Sequence, residues 1–181
     1  KTQGDAQAVL ASDAVLLAYQ NHWLVRETIG LLRRTFSRLD LSSRSLFALI
    51  EPGSCFAGSL LELALACDRS YQLMLPDDEA KSPKIAVGEL NFGLFPMVTG
   101  QSRLQRRFYA EAPAMDAVRA KAGQLLDADA AMALGLIEEC LDISIDYAKN
   151  RVQFGQPIGD FQLIQDKLAR MEVARLNVEN L

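Results

Sequence analysis

Apolar residues recur at helical spacing over residues 22–39, where Trp23, Leu24, Leu31, Leu32 and Phe36 alternate with Arg26, Glu27, Arg33, Arg34 and Arg38. This spacing predicts an amphipathic helix that buries one stripe. Asp40-Leu41-Ser42-Ser43 breaks the period, and residues 46–50 form a five-residue apolar run of the length expected for a buried strand. Glu51-Pro52-Gly53-Ser54 closes that run, since Pro and Gly are strong local breakers. Residues 58–67 read as a short, almost wholly apolar helix led by Gly58 and Ser59, with Glu62 as its charged interior residue. Residues 70–75 predict a second strand, 76–79 a solvated turn, and 85–87 a third short apolar run before Gly88-Glu89-Leu90-Asn91-Phe92-Gly93. Residues 96–108 read as a helix entered at Pro96, with Arg103, Arg106 and Arg107 suited to the negative end of its dipole. Two Ala-rich helices, 113–121 and 128–134, follow. Strands alternating with helices place this block in the α/β class.

From about residue 136 the pattern changes. Residues 137–149 are helical in period, and 152–159 (VQFGQPIG) read as a Gly/Pro-punctuated loop. Asp160 then caps a long helix carrying Phe161, Ile164, Leu168, Met171, Ala174, Arg175 and Val178 at spacings of three and four. The expected organisation is an α/β block over 1–138 followed by an all-helical hairpin over 139–181.

Composition narrows the function classes. Half of the 181 residues are hydrophobic and 23% are charged, which excludes a disordered chain. A net charge of −4 leaves no basic footprint for nucleic acid. One His and three scattered cysteines, Cys55, Cys67 and Cys140, make no metal-ligand cluster and point to a reducing, cytoplasmic compartment. No apolar run reaches the 18 residues of a membrane span. The opening Lys1-Thr2-Gln3-Gly4-Asp5 has neither an initiating Met nor the apolar run of a signal peptide, which reads as a piece of a longer chain.

Two carboxylates stand out. Glu62 sits inside an apolar helix, where burial would force it to pair or to hold its proton, and a raised pKa suits acid/base work. The plain alternative is a helix edge that reaches solvent. Glu89 lies after a short apolar run and before a glycine, a place that serves function or simply a surface loop. The turn from Gly53 to Ser59 could present a backbone N–H to a developing oxyanion, or be an ordinary strand-to-helix turn. His22 has no acid or Ser partner nearby and reads as structural or solvent-facing.

The segments ALIEPGSCFAGSLLELALACDRSYQL and VGELNFGLFPMVTGQSRL resemble the crotonase (enoyl-CoA hydratase/isomerase) superfamily over roughly residues 1–138. RETIG-LLRR, EPGSCFAG and NFG-x-x-PM resemble more closely its benzoyl-CoA-dihydrodiol lyase branch, whose chains carry two crotonase-like halves; this block is similar to the second. The resemblance implies a partial spiral ββα core and an acyl-CoA or aryl-CoA thioester as substrate. It implies ring opening of a dihydrodiol of benzoyl-CoA without metal or redox cofactor, in a homo-oligomer with no nucleic-acid or membrane partner. It places Glu62 and Glu89 on the proton-transferring positions, the Ser59 backbone N–H in the oxyanion hole, and Gly58 and Phe92 at the substrate. One departure stands against it. Gly58-Ser59-Leu60-Leu61 replaces a glycine run, which favours the alternative of a non-catalytic half that builds the oligomer.

The tail, DYAKNRVQFGQPIGDFQLIQDKLARMEVAR, resembles the C-terminal helical domain of acyl-CoA dehydrogenases. In that reading Arg151, Gln153, Phe154 and Gln162 fall on positions that touch FAD, and the chain would be a fragment of a flavoenzyme.

Overall fold

The computed structural model describes residues 1–73 and 80–137, together with Val152, Gln153, Gln156, Pro157, Asp160, Gln162 and Gln165. The chain divides into two compact units, Lys1–Glu138 and Glu139–Leu181.

The first unit opens with helix α1 (Ala6–Ala18), whose N-cap Asp5 accepts a hydrogen bond from the Gln7 N–H at 2.9 Å. No predicted element corresponds to α1. Its Ala, Val and Leu residues are spread around the helix, so no stripe betrays it. Helix α2 (Trp23–Leu39) lies where its period predicts, but it buries only the Leu32 and Phe36 part of the expected stripe. Phe36 is buried and Ile29, Leu32 and Leu39 pack beside it, whereas Trp23, Leu24 and Leu31 are more than half exposed. The 29/32/36/39 row is also a helical stripe, and it is the one that meets Leu90 and Phe95. Phe36 and Phe95 contact edge to face at 5.2 Å, which fixes the C-terminal half of α2 on the core and leaves its first turns outside.

Strand β1 (Phe47–Ile50), helix α3 (Gly58–Leu65) and strand β2 (Arg69–Gln72) make a βαβ unit with parallel register Phe47↔Arg69 to Ile50↔Gln72. The run 85–87 is fully buried but forms single bridges, Ala57↔Ala86 and Ile85↔Leu126, rather than a strand. A 3₁₀ turn, Glu89–Phe92, follows.

The helix expected over 96–108 contracts to α4 (Arg103–Arg107). Gly100 at φ +85° ends any helix before it, and Ser102 restarts one as a capping box: its Oγ accepts the Gln105 N–H at 3.1 Å and Gln105 Oε1 accepts the Ser102 N–H at 2.8 Å. Helices α5 (Ala112–Arg119) and α6 (Ala128–Ala133) sit close to prediction. Asp127 caps α6 by accepting the Ala130 N–H at 2.8 Å. The core gathers Ile50, Phe56, Leu61, Ile85, Leu104 and Leu136 beneath α3. Among the described residues the parallel ladder is limited to β1 and β2, so a mixed α/β unit is what the fold establishes.

In the second unit, β3 (Val152–Gln153) pairs antiparallel with β4 (Gln156–Pro157). This corrects the all-helical reading of the tail. Two residues, the second a glycine, separate the paired glutamines, and that spacing suits a tight hairpin. Gln162 and Gln165 are helical and exposed. Among the described residues no helix is long and apolar enough to cross a membrane.

Candidate active site

The site is built where β1 turns into α3. The turn is closed by the Ser54 N–H on the Glu51 carbonyl (2.9 Å) and the Glu51 N–H on Ser54 Oγ (3.0 Å). Gly58 then begins α3 at φ +44°, and a side chain there would collide with Asp13 Oδ2. Glycine is therefore required twice over, by conformation and by space. Gly88 approaches equally closely: an added Cβ would stand 3.1 Å from Gly58 Cα and 3.4 Å from Leu10 Cδ2.

The Ser59 N–H, the expected oxyanion donor, already has an acceptor. Asp13 Oδ2, from α1, takes it at 2.6 Å. Asp13 is only 4% exposed. Burial pushes its carboxyl above the usual range, and the bonds from Ser59 pull it partly back.

A carboxyl whose pKa is higher folded than unfolded favours the folded state while it is protonated. Its stabilising effect is full below the unfolded value of about 4 and fades as pH rises through the folded value. Asp13→Asn is accordingly expected to flatten the fall in the urea midpoint as pH rises above the unfolded value of about 4; an unchanged slope would contradict this assignment.

Glu62 lies one turn into α3 and is 1% exposed. Both its oxygens are occupied: Oε1 accepts from Asn91 Nδ2 and Oε2 from Arg103 Nη1, each at 2.6 Å. Asn91 is itself fully used, since its Nδ2 also donates to the Gly58 carbonyl and its Oδ1 accepts the Gly88 N–H, both at 2.8 Å. Arg103 reaches past Glu62 to Asp40 at the end of α2, donating from Nε to Oδ1 (2.9 Å) and from Nη2 to Oδ2 (2.6 Å). The Arg103 side chain is 2% exposed and that of Asp40 5%. Burial pushes the Glu62 carboxyl up, while the Asn91 and Arg103 bonds and the Arg103 charge pull it back, and the Asp40 charge pushes it up again. Glu62, Arg103 and Asp40 form a closed buried triad joining α3, α4 and α2.

Glu89 faces the other way. Its side chain is 61% exposed and pairs at 3.8 Å with Arg119, itself 53% exposed. An exposed pair of this kind contributes little. Arg119 also covers the Phe92 ring at 4.1 Å, and Phe92 packs on the core below. The structure thus brings Gly58, Ser59 and Glu62 together on α3, and it sets Glu89 and Phe92 beside Arg119. His22 is the exposed N-cap of α2, beside the Trp23 ring. Cys55 is buried, and Cys67 bonds the Leu63 carbonyl with its thiol pushed up by burial. Cys140, Arg151 and Phe154 lie outside the described residues.

Asp13, Asp40, Asn91 and Arg103 are functional neighbours that motif reasoning did not single out. Asp13 had a signal of the same kind as Glu62, a lone acid within Ala11-Ser12-Asp13-Ala14-Val15. The others had none, because the side-chain partners they meet in the Glu62 network are 29 to 63 residues away.

Comparison with known proteins matches both resemblances. Over 149 residues, 82% of this chain, it is 56% identical to the benzoyl-CoA-dihydrodiol lyase of Aromatoleum evansii, of which the match covers 26%. Residues 128–181 match the acyl-CoA dehydrogenase C-terminal domain. The C-terminal segment is 55% identical over 42 residues to the mitochondrial isovaleryl-CoA dehydrogenase of Oryza sativa subsp. japonica, covering 23% of this chain and 10% of that protein. It is 54% identical over 44 residues to the glutaryl-CoA dehydrogenase of Desulfococcus multivorans, covering 24% and 11%. The chain spans about a quarter of the lyase and about a tenth of these dehydrogenases.

Proposed function

We propose that residues 1–138 are the scaffold half of a CoA-thioester lyase of the benzoyl-CoA-dihydrodiol lyase kind. In this reading the acid/base groups that open the ring belong to the part of such a lyase that this chain does not span. The similarity over 82% of the chain supports the lyase context. The observation that carries the scaffold role is Glu62, both of whose oxygens are bonded inside the triad with Arg103 and Asp40. A general base needs an oxygen free to meet the proton it takes. Glu62 has none, and Glu89 points to solvent.

The tail's similarity to dehydrogenases raises FAD as a group to test against the residues present. Of the four positions, Gln153 lies in the β3–β4 ladder, Gln162 is exposed, and Arg151 and Phe154 lie outside the described residues.

Calorimetric titration of the chain with benzoyl-CoA tests the scaffold reading. The expected result is no saturable heat. Saturable binding that free coenzyme A competes away would overturn it.

A further inference from the structure

Helix α2 has a second side. Ile29, Leu32, Phe36 and Leu39 face the core, whereas Trp23, Leu24 and Leu31 are more than half exposed, as is Tyr19 at the end of α1. Seven residues make almost two helical turns, so residues seven apart share a row. Leu24, Leu31 and Arg38 form one exposed row, Arg26 and Arg33 another, and Trp23, Glu27 and Arg34 lie between them. Single exposed apolar residues need no explanation, but a contiguous strip of them does.

The strip is also basic. Residues 23–39 carry four arginines and one acid, in a chain whose net charge is −4. Elsewhere in the unit cations find acids: Lys1 pairs with Glu51, Arg103 with Asp40 and Glu62, and Arg119 with Glu89. Among the described residues none of the four α2 arginines forms such a pair. Trp, Tyr and Arg are the side chains on which protein interfaces concentrate their energy. Apolar rows at a spacing of seven, edged by charge, are how one helix receives another.

We propose that this face of α2 seats an acidic amphipathic helix, supplied by the part of a benzoyl-CoA-dihydrodiol lyase that this chain does not span. Apolar side chains of that helix cover Trp23, Leu24 and Leu31, and carboxylates beside them meet Arg26, Arg33 and Arg34. The match covers 26% of the Aromatoleum evansii lyase, so most of such a protein is left to supply the helix. The proposal rests on the scaffold reading and names the surface through which the scaffold holds its other part. A second copy fits poorly, because a two-fold pair would set these arginines against themselves. A membrane also fits poorly. A helix lying on lipid keeps its apolar face for the lipid and its cations on the other side. In α2 one apolar row is already packed on the core, and leucines and arginines share the exposed face.

The test is hydroxyl-radical footprinting, read residue by residue by mass spectrometry, on this chain alone and on a full-length lyase carrying the same block. In the lyase, oxidation of Trp23, Leu24 and Leu31 is expected to fall to that of buried Phe36. Oxidation undiminished from the chain alone overturns the proposal. Arg26→Glu, Arg33→Glu and Arg34→Glu together should restore the oxidation seen in the chain alone, and Lys at the same three positions should keep it low. Protection that survives the three glutamates overturns the acidic partner. Protection of the chain alone that grows with its own concentration assigns the face to a second copy, and protection by phosphatidylserine vesicles assigns it to a membrane; either overturns the proposal. The unsubstituted lyase decides even where a variant does not fold. Failure of the scaffold reading appears separately, as benzoyl-CoA binding by the chain alone.

Discussion

Arg103→Ala costs the first unit about 3–5 kcal/mol of folding stability, because it strands two buried carboxylates at once. Glu62 and Asp40 reach the same guanidinium from α3 and from the end of α2. Removing the cation leaves both acids desolvated, mutually repulsive and short of donors. A loss this large is a sizeable share of the stability of a typical domain. Urea unfolding of the purified variant measures it. The structural account also predicts strong non-additivity. Adding Glu62→Gln and Asp40→Asn to Arg103→Ala should recover part of the loss, since neutral amides cost less to bury than unpaired charges. Loss below about 1 kcal/mol for Arg103→Ala would mean that the triad is solvated and weak, as exposed pairs are.

Gly58→Ala is expected to cost about 2–4 kcal/mol, from overpacking against Asp13 and from the left-handed backbone at φ +44°. The two contributions separate in a double-mutant cycle. With Asp13→Ala already in place the collision is gone, and Gly58→Ala then costs only the conformational share of about 1–2 kcal/mol. Additive behaviour would show that Asp13 does not occupy the space beside Gly58. The measurement is again equilibrium unfolding, with circular dichroism confirming that each variant keeps its helices.

Local signals in the sequence account for much of the fold. Helix α2 declares itself by period, α3 by an apolar run after a Gly-containing turn, and α5 and α6 by Ala-rich composition. Errors arise where a local signal is missing or overridden. Helix α1 has no stripe, so periodicity passes over it. In α2 the expected stripe shares Leu32 and Phe36 with the buried row, and contact with Leu90 and Phe95 adds Ile29 and Leu39 while leaving Trp23, Leu24 and Leu31 outside. The long helix expected after Pro96 fails at Gly100, and the Ser102–Gln105 capping box marks the true start. The β3–β4 pair replaces an expected loop by the shortest of ladders.

The site was legible only in part, for a physical reason. An acid inside an apolar run announces a cost, and that argument finds Glu62. It does not say how the cost is met. Pairing and protonation leave the same trace in a sequence, and the cation that resolves the choice is 41 residues away on α4. Asp13 obeys the same logic as Glu62, and its partner is a backbone amide, which no sequence pattern marks. Glu89 is exposed while Leu90 and Asn91 of the same 3₁₀ turn are buried, a division that a short Gly-flanked segment does not specify.

The most direct test of the central claim, that Glu62 serves the fold and not the reaction, is turnover by a full-length lyase carrying this block with Glu62→Gln and Glu89→Gln together. General acid–base groups contribute about 10²–10⁴-fold to rate. The scaffold account predicts kcat/KM within about threefold of the parent, below that range, once the variant is shown to be folded. A fall of about 100-fold or more in kcat, with melting temperature unchanged, would contradict it.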